Sequence, residues 1–461
     1  MVKIFRKVSI VLAVFFVFGS TSNAEMWKKG QLVRDAQVEW MLLKYLMPIY
    51  EVAGLDQKLV RPFIIIDDSY NAFATIENMV VAHSGFLMKV KSPEEMAFVM
   101  GHEVGHQSAR HIVRRFSGEV QEAMSTMVVG ALAGGALAVL TGKPEVAMGG
   151  LIISNSVAMA NFNAHSRTAE READNRGILY MKKLSWPVYG AKLATEAMQD
   201  MDREYGAQNR PIYLRSHPYS ADRLAFAKDH LNPGDEVRTL PEHLRLAFFM
   251  ALARIRAMTM DPQDVLDIYR SEKTPQANYA RAIVNMHLGK IDQAAAGISD
   301  LITKFPSDPF LHSTLGEVYI KGVQFDKALN EYNLAINLAE GTAIAGIKKN
   351  AAILRFERAE LLAMMKKYEG ALNELEVLGA MDSNLKSNAG YWTLMVRIYD
   401  GMGNEPMRLY AKAEESYSLR NKIASERYVE AALAKVQDKS SAEYVKMRDL
   451  RLKLNEDKTD F

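Results

Sequence analysis

Two histidines one helical turn apart stand in the stretch Gly101-His102-Glu103-Val104-Gly105-His106, which has the pattern H-E-x-x-H. Residues 92–95 precede it and are typical of a helix start, with a capping Ser, Pro at the first helical position and Glu three residues after the cap. Residues four apart share a helix face, so His102 and His106 can bind one Zn²⁺. Glu103 points beside that face, where it can take a proton from the metal-bound water. The stretch therefore predicts one zinc ion per chain and a general base.

The composition limits the kinds of site that the chain can build. Its 461 residues predict two or three domains, and 49% hydrophobic with 24% charged residues is typical of a globular protein. A formal net charge of +2 gives no reason to propose nucleic acid as a partner. Cysteine is absent, which excludes disulfides, thiolate zinc sites and a cysteine nucleophile. A metal site must therefore use histidines and carboxylates.

The first residues have the features of a secretory signal. Lys3, Arg6 and Lys7 precede an uncharged apolar run over 8–18, and small residues at 22–24 are typical of a cleavage site. We therefore expect residues 1–24 to be a signal peptide and the mature protein to be exported, with a Gram-negative periplasm as the fitting compartment. An uncleaved anchor is the alternative, although this run is shorter than the roughly 20 residues that span a bilayer.

Three short apolar stretches before the histidine helix predict a small sheet. They cover residues 62–67, 71–75 and 79–83, with turn residues between them. A sheet placed there suggests a cleft whose edge strand can pair with an extended peptide substrate. We assign that edge strand to Asn71, Ala72, Phe73 and Ala74.

The third zinc ligand is expected to be a carboxylate. Three-histidine zinc proteases need Gly at 109 and His at 112, where this chain has Ala109 and Ile112. Glu170 and Asp174 are four residues apart downstream and share a helix face. Glu170 can complete a His₂Glu site with the fourth position open to water. Asp174 can accept a hydrogen bond from the far nitrogen of a ligand histidine.

Two apolar runs lie between these helices, within residues 124–162. Each is near the length of a membrane span, so a hairpin in the bilayer is one interpretation. The second run contains Ser and Asn residues, and both are rich in Ala and Gly. We therefore favour helices that are buried against the protease core or touch a membrane surface.

These residues together resemble the zinc endopeptidases that include the CAAX prenyl endopeptidase and the heat-shock membrane protease HtpX. The resemblance covers about residues 27–231. It implies a gluzincin-type metalloprotease domain. It rests on the following positions: Asn71-Ala72-Phe73-Ala74, His102-Glu103-Val104-Gly105-His106, Ser166-Arg167, Glu170, Ala173-Asp174, Ser216-His217-Pro218 and Arg223.

A signal peptide followed by helical repeats is most similar to the periplasmic branch of that family, the beta-barrel assembly-enhancing proteases. The resemblance implies that His217 occupies the open zinc position as a latent-state fourth ligand. It also implies that Arg223 lies at the site, supporting the transition state or the switch. Ser216 replaces the usual Thr of this element. The implied substrates are misassembled outer-membrane proteins, and the implied partner is the barrel-assembly machinery.

The second half of the chain has the spacing of tetratricopeptide repeats. A turn-rich break at 232–235 marks the domain boundary. Ala294 and Ala328 follow similar segments and are 34 residues apart, which is the tetratricopeptide period. Related segments at 366–371 and 399–411 suggest two more repeats. Stacked helix pairs of this kind form a concave surface for a protein partner.

The predicted fold is therefore α+β and mostly α, with a protease domain at 25–232, a tetratricopeptide-like superhelix at 241–440 and a C-terminal helix or tail at 441–461. The predicted function is that of an exported zinc endopeptidase in outer-membrane protein quality control, latent through a histidine switch and possessing no nucleic-acid site. A chaperone or scaffold with a mostly latent protease domain is the main alternative. An intramembrane protease is a third interpretation, which depends on residues 124–162.

Overall fold

The computed structural model describes residues 26–75, 79–109, 167–206, 208–342, 345–381, 385–386 and 389–456. The predicted signal peptide at 1–24 and the apolar segment at 124–162 lie outside the described residues. The chain divides into two compact units, and the boundary in sequence falls between residues 284 and 285, near the end of the last helix of the first unit. Among the described residues, no helix is both long enough and apolar enough to cross a membrane.

The first unit combines a small sheet with ten helices among its described residues. In chain order its elements are β1 (Leu32–Val33), α1 (Ala36–Val52), a 3-10 turn (Gln57–Leu59), β2 (Arg61–Ile65), β3 (Ala72–Ala74), β4 (Met79–His83), α2 (Ser84–Lys89), α3 (Pro93–Ser108), α4 (Arg167–Lys183), α5 (Tyr189–Tyr205), α6 (Ile212–Ser216), α7 (Ala221–Asp229), α8 (Glu242–Thr259), α9 (Pro262–Ile268) and α10 (Pro275–His287).

The sheet has the strand order β1-β2-β4-β3, so β3 lies at one edge of the described strands. β2 pairs with β4 in parallel, with Phe63 opposite Val81. β3 pairs with β4 antiparallel, with Phe73 opposite the same Val81. Every residue of β4 is buried, which is typical of a central strand. The predicted edge strand is therefore an edge strand of this sheet.

Helix α3 carries the H-E-x-x-H stretch and starts where the sequence predicts. The Oγ of Ser92 accepts a hydrogen bond from the Glu95 N–H at 3.2 Å, and Pro93 is the first helical residue. From Pro93 to His106 every residue of α3 is buried. A helix buried all round requires each polar side chain on it to have a partner or a function.

Helices α3 and α4 approach closely through glycines. A Cβ atom on Gly105 would lie 3.0 Å from the backbone oxygen of Ala173, and one on Gly177 would lie 3.3 Å from the backbone nitrogen of His102. These contacts bring the face of α4 that carries Glu170 next to the histidines of α3.

Helix α8 packs onto α1 and so belongs to the first unit, although it follows the predicted boundary at 232–235. The Tyr45 hydroxyl donates to the Leu244 carbonyl at 2.9 Å. Arg254 Nε lies 2.7 Å from Asp35 Oδ2, and both side chains are buried. The domain boundaries proposed from the sequence stay predictions.

The second unit is helical throughout its described residues. Its helices are α11 (Ile291–Lys304), α12 (Pro309–Lys321), α13 (Phe325–Gly341), α14 (Ala345–Met364), α15 (Tyr368–Met381), α16 (Ala389–Gly401), α17 (Glu405–Ser418), α18 (Lys422–Leu433) and α19 (Ala442–Glu456). From α11 to α19, each helix packs against the next along the chain. The prediction of a mostly helical α+β chain with a small sheet is confirmed, whereas the tetratricopeptide superhelix stays a prediction.

Candidate metal centre

Four buried side chains from three parts of the first unit converge at one point. His102 and His106 come from α3, Glu170 from the first turn of α4, and His217 follows the end of α6. Each can offer one ligand atom, and these atoms all lie within 4.8 Å of one another. Each of the four residues is 1–2% exposed. Buried polar groups at this density need a common partner.

The spacing of the donor atoms fits a tetrahedral zinc site. His102 Nε2 lies 3.0 Å from His106 Nε2 and 3.3 Å from Nδ1 of His217. The Glu170 carboxylate oxygens lie 3.2 Å from Nδ1 of His217, and Oε1 lies 3.3 Å from Nε2 of His106. Four ligands about 2.0–2.1 Å from a zinc ion at tetrahedral angles are about 3.3–3.4 Å apart. These residues therefore fit the predicted metal.

The fourth donor is the imidazole of His217. The residues of α3 and α4 alone predicted a fourth position that is open to water. Nδ1 of His217 faces the other three donors, while its Nε2 lies 3.4 Å from Oε1 of Glu103. His217 thus stands between the candidate ligands and the candidate base. This is the position that the family resemblance implies for it.

Glu103 is completely buried beside the cluster. Its Oε1 has no hydrogen-bond partner in the described part of the chain. Burial raises the pKa of Glu103, and the nearby histidines and a hydrogen bond from the Ala74 backbone N–H only partly oppose this rise. A carboxylate with a raised pKa takes up a proton more readily, as a general base must.

Asp174 and Arg223 surround the ligands. Asp174 Oδ1 lies 2.9 Å from Nδ1 of His102, so that Nε2 of this ring faces the other donors. Arg223 donates to Asp174 through Nε and Nη2 at 2.7 and 2.8 Å. Its Nη1 lies 2.9 Å from Oε2 of Glu170 and donates to the Pro218 carbonyl at 3.2 Å. One guanidinium therefore joins a candidate ligand, the carboxylate behind His102 and the loop that carries His217.

The charges around the cluster keep its two acidic side chains ionised. Burial alone would raise the pKa of Glu170, but His217 and Arg223 hold that pKa well below its usual value. For Asp174, Arg223 and His102 outweigh burial and lower the pKa to about 2. Burial likewise opposes the charged form of His102, yet hydrogen bonds to Asp174 and Glu170 raise its pKa to about 9. The two carboxylates are thus balanced by Arg223 and His102, and a metal ion would bind His102 by displacing its proton.

The predicted substrate strand lies against the candidate base. The Asn71 carbonyl accepts from the His83 N–H, and the Thr75 N–H donates to the Met79 carbonyl, so these two residues face β4. Along a strand, successive residues direct their backbone N–H and C=O groups to opposite sides. The backbone groups of Ala72 and Ala74 therefore face away from β4. The Asn71 side chain lies 3.3 Å from His83 Nε2 and is part of the sheet interior. Phe73 is half-buried.

Two further residues of the site were missed by the sequence analysis. The Tyr213 ring packs against His217 with centroids 4.8 Å apart, and burial raises the pKa of its phenol well above the usual value. Gln107 follows His106 directly and hydrogen-bonds the chain on both sides of the β3–β4 connection. The sequence feature that could have identified them is helical spacing. Tyr213 lies four residues before His217, and Gln107 lies four residues after Glu103.

Comparison with known proteins assigns a family to part of the first unit. Residues 35–231 match the family model described as Peptidase family M48. This match confirms a domain of the predicted family at residues 35–231 and the metalloendopeptidase class. It spans Glu103, all four candidate ligands, Asp174 and Arg223.

Relatives extend the similarity beyond that domain. A protein of Vibrio cholerae named as a beta-barrel assembly-enhancing protease is 28% identical over 270 residues, which cover 56% of this chain and 53% of that protein. The beta-barrel assembly-enhancing protease of Escherichia coli is 25% identical over 372 residues, covering 78% of this chain and 71% of that protein. A protease HtpX homolog of Streptococcus agalactiae is 33% identical over 103 residues, which cover 22% of this chain and 33% of that protein. The chain thus aligns with about half the length of the Vibrio cholerae relative.

Proposed function

Because the chain carries a metalloendopeptidase domain of peptidase family M48, we propose that it is an exported, zinc-dependent endopeptidase whose resting site is closed by His217. The observation that carries this proposal is the convergence of four buried donor atoms beside Glu103. A structural role alone does not require a buried carboxylate whose Oε1 makes no hydrogen bond next to those donors.

His102, His106 and Glu170 would hold the zinc ion, with Asp174 fixing the ring of His102. Zinc in such a site polarises the scissile carbonyl and lowers the pKa of a water molecule. Glu103 accepts the proton of the attacking water and then donates it to the leaving amine. The substrate backbone pairs with the outward-facing groups of Ala72 and with the Ala74 carbonyl; because the Ala74 N–H donates to Glu103, this pairing places the peptide bonds of the substrate next to the base.

His217 would hold the enzyme latent. Its Nδ1 is close enough to the other donors to be a fourth ligand, and its Nε2 lies near Glu103. A water molecule and a substrate carbonyl therefore have no room while this ring is in place. Arg223 supports the closed arrangement, because it joins the Pro218 carbonyl to Asp174 and Glu170.

The relatives and the helical unit support a proposal for the substrate class. Proteins named beta-barrel assembly-enhancing proteases align with most of this chain. We propose accordingly that misassembled outer-membrane proteins in a periplasm are the substrates and that the helical unit binds the client or the barrel-assembly machinery. The packing supports tetratricopeptide-like repeats, since Ala294, Ala328 and Ala371 are fully buried and each is the fourth residue of its helix.

A scaffold or chaperone role is the second candidate, and the position of His217 in the site favours it. A resting enzyme that cleaves little could act mainly by binding clients through its helical unit. Complementation of a null strain by Glu103→Gln separates the two functions. The scaffold role survives this substitution, whereas an essential proteolytic role does not.

The proposal is tested by the metal content of the purified mature protein together with casein cleavage. We expect one zinc per chain in the parent, in Glu103→Gln and in His217→Ala. Cleavage should fall at least about a hundredfold in Glu103→Gln, which loses the general base, and rise in His217→Ala. Active Glu103→Gln would contradict the mechanism, an unchanged His217→Ala would contradict latency, and a protein without zinc would contradict the metal centre.

A further inference from the structure

Gln107 connects the histidine helix to the edge strand through its side-chain amide. It is half-buried and directly follows His106 in α3. Its Nε2 donates to the Thr75 carbonyl at 3.1 Å and lies within hydrogen-bond reach of the Met79 carbonyl at 3.4 Å. Its Oε1 accepts from the Tyr50 hydroxyl at 2.6 Å. The amide thus contacts three partners from α1 and the β3–β4 pair.

The orientation of this amide follows from the chemistry of its partners. Carbonyl oxygens only accept, so the NH₂ group must face Thr75 and Met79. The Tyr50 hydroxyl then donates to the remaining oxygen. Thr75 and Met79 are themselves paired, because the Thr75 N–H donates to the Met79 carbonyl at 2.9 Å. Gln107 therefore binds both ends of the β3–β4 connection.

Glu103 and Gln107 attach β3 to α3 at two successive residues. They are four residues apart and share one face of the helix. The Glu103 carboxylate accepts from the Ala74 N–H, and the Gln107 amide donates to the carbonyl of Thr75, the next residue. The two attachments together hold the end of β3 at a defined position along the helix, and the bond of Gln107 is the one that reaches past Ala74 to the β3–β4 connection.

We propose that Gln107 is a positioning residue for the substrate. It fixes the position of β3 along the axis of α3, and so determines which peptide bond of a substrate paired with β3 faces Glu103. This inference rests on the proposed function, since it assumes an extended substrate on the outward edge of β3. Gln107 acts through the strand and touches neither the substrate nor the donor atoms. Its loss is expected to affect substrate pairing and cleavage register more than the metal.

The test compares Gln107→Met with Ser108→Ala in full-length protein that also carries His217→Ala. Met keeps the length of Gln and removes both polar atoms. Ser108 is the adjacent control, because its hydroxyl lies 2.7 Å from the Tyr180 hydroxyl of α4 and has no bond to β3. We expect unchanged zinc content in both variants. In Gln107→Met, KM for casein should rise about five- to tenfold with a smaller change in kcat, as for the loss of one or two net hydrogen bonds.

Mass spectrometry of the casein fragments provides a readout that a purely structural role would not change. A merely less stable enzyme lowers the active fraction, with the same KM and the same cleaved bonds. A strand out of register cleaves neighbouring bonds, and we expect such new fragments from Gln107→Met only. Unchanged KM and an unchanged fragment pattern would overturn the positioning role.

Hydrogen–deuterium exchange separates this proposal from the proposed function. Backbone amides in residues 71–75 should exchange faster in Gln107→Met than in the parent or in Ser108→Ala, without any substrate present. If no form cleaves casein, the proposed function fails, and the exchange rates alone decide the role of Gln107. Equal rates in all three proteins would show that the amide does not hold the strand.

Discussion

Asp174 sets the orientation of His102, and Arg223 sets that of Asp174. The carboxylate lies 2.9 Å from Nδ1 of the histidine ring, which leaves Nε2 for a metal. Two N–H groups of Arg223 bind the same carboxylate. A ligand whose ring is already oriented loses little freedom when the metal binds, so residues behind the ligands affect zinc affinity.

We predict that Asp174→Asn lowers zinc affinity by about 10- to 100-fold, the usual effect of losing such a partner. The amide keeps the size of the side chain but gives Arg223 and His102 a weaker acceptor. Competition with a chelator of known affinity measures the change. Glu172→Gln is the matched control, because Glu172 is on the same helix and pairs with Arg176 near the surface. Equal zinc affinity in both variants would contradict the role of Asp174.

At this scale the sequence identifies residues whose spacing within one helix carries the chemistry. His102 and His106 are four apart, and so are Glu170 and Asp174; the structure brings both pairs to one cluster. The partners of Gln107 and Tyr213 could not be read in the same way. Gln107 binds Thr75 and Met79, and this contact depends on the approach of a strand to a helix. Such a distance has no period in the sequence.

The separation of α3 and α4 depends on glycines that face the neighbouring helix. Gly105 lies against the backbone of Ala173, and a Cβ atom there would be 3.0 Å from its oxygen. At Gly101, one turn earlier, a Cβ atom would lie 3.1 Å from Cε at the end of the Met181 side chain. Backbone cannot move without shifting α4, whereas a methionine can change its rotamer. A Cβ atom is therefore expected to be tolerated at Gly101 but not at Gly105.

We predict that Gly105→Ala weakens zinc binding and lowers the unfolding temperature, because it pushes Glu170 away from the histidines. Gly101→Ala is the matched variant and should be close to neutral. The helix propensity of alanine favours it by up to about 1 kcal/mol over glycine. Calorimetry and zinc titration of both proteins measure the difference. The glycine contact would be unimportant if the two substitutions had the same effect.

Element boundaries were predictable where a local signal defines them. Ser92 caps α3 as the sequence predicts, and β4 covers Met79–His83 as expected. Apolar residues recur at helical spacing from Leu32 through Ala36 to Met47, which predicts one helix over about 26–50, but α1 begins only at Ala36. Asp35 caps it by accepting from the Val38 N–H, and Leu32–Val33 pairs with β2 instead. Strand pairing with a distant segment outweighed local periodicity there.

In the whole molecule, the first unit extends past the turn-rich break at 232–235. Arg254 and Asp35 form a buried ion pair, and the Tyr279 hydroxyl donates to the Gln37 side chain at 2.6 Å. The Trp27 N–H also donates to the Met258 carbonyl at 2.7 Å. A Pro-Gly turn predicts a change of chain direction, but it cannot predict which side the following helix packs on. The residue types at 232–235 therefore locate a turn, but they do not show that the helices after it still pack against the first unit.

We predict that a fragment of residues 26–284 unfolds cooperatively and that a fragment of residues 26–232 does not. The shorter fragment exposes the buried face of α1 and leaves Asp35 without Arg254, and removing one partner of a buried ion pair costs about 3–5 kcal/mol. Circular dichroism during heating compares the two fragments. A cooperative transition of the shorter fragment at the same temperature would show that the protease domain ends at the break.

The donor cluster has a consequence for the stability of a chain that lacks cysteine. His102 and His217 are 115 residues apart in sequence, and Glu170 and His217 are 47 apart. An ion bound by all of them acts as a cross-link, and closing loops of such lengths with a disulfide contributes about 3–5 kcal/mol. Chelation is therefore expected to lower the unfolding temperature of the first unit, and zinc to restore it, even in Glu103→Gln. The ion that supports peptide hydrolysis would therefore also stabilise the fold, in a chain that has no disulfides.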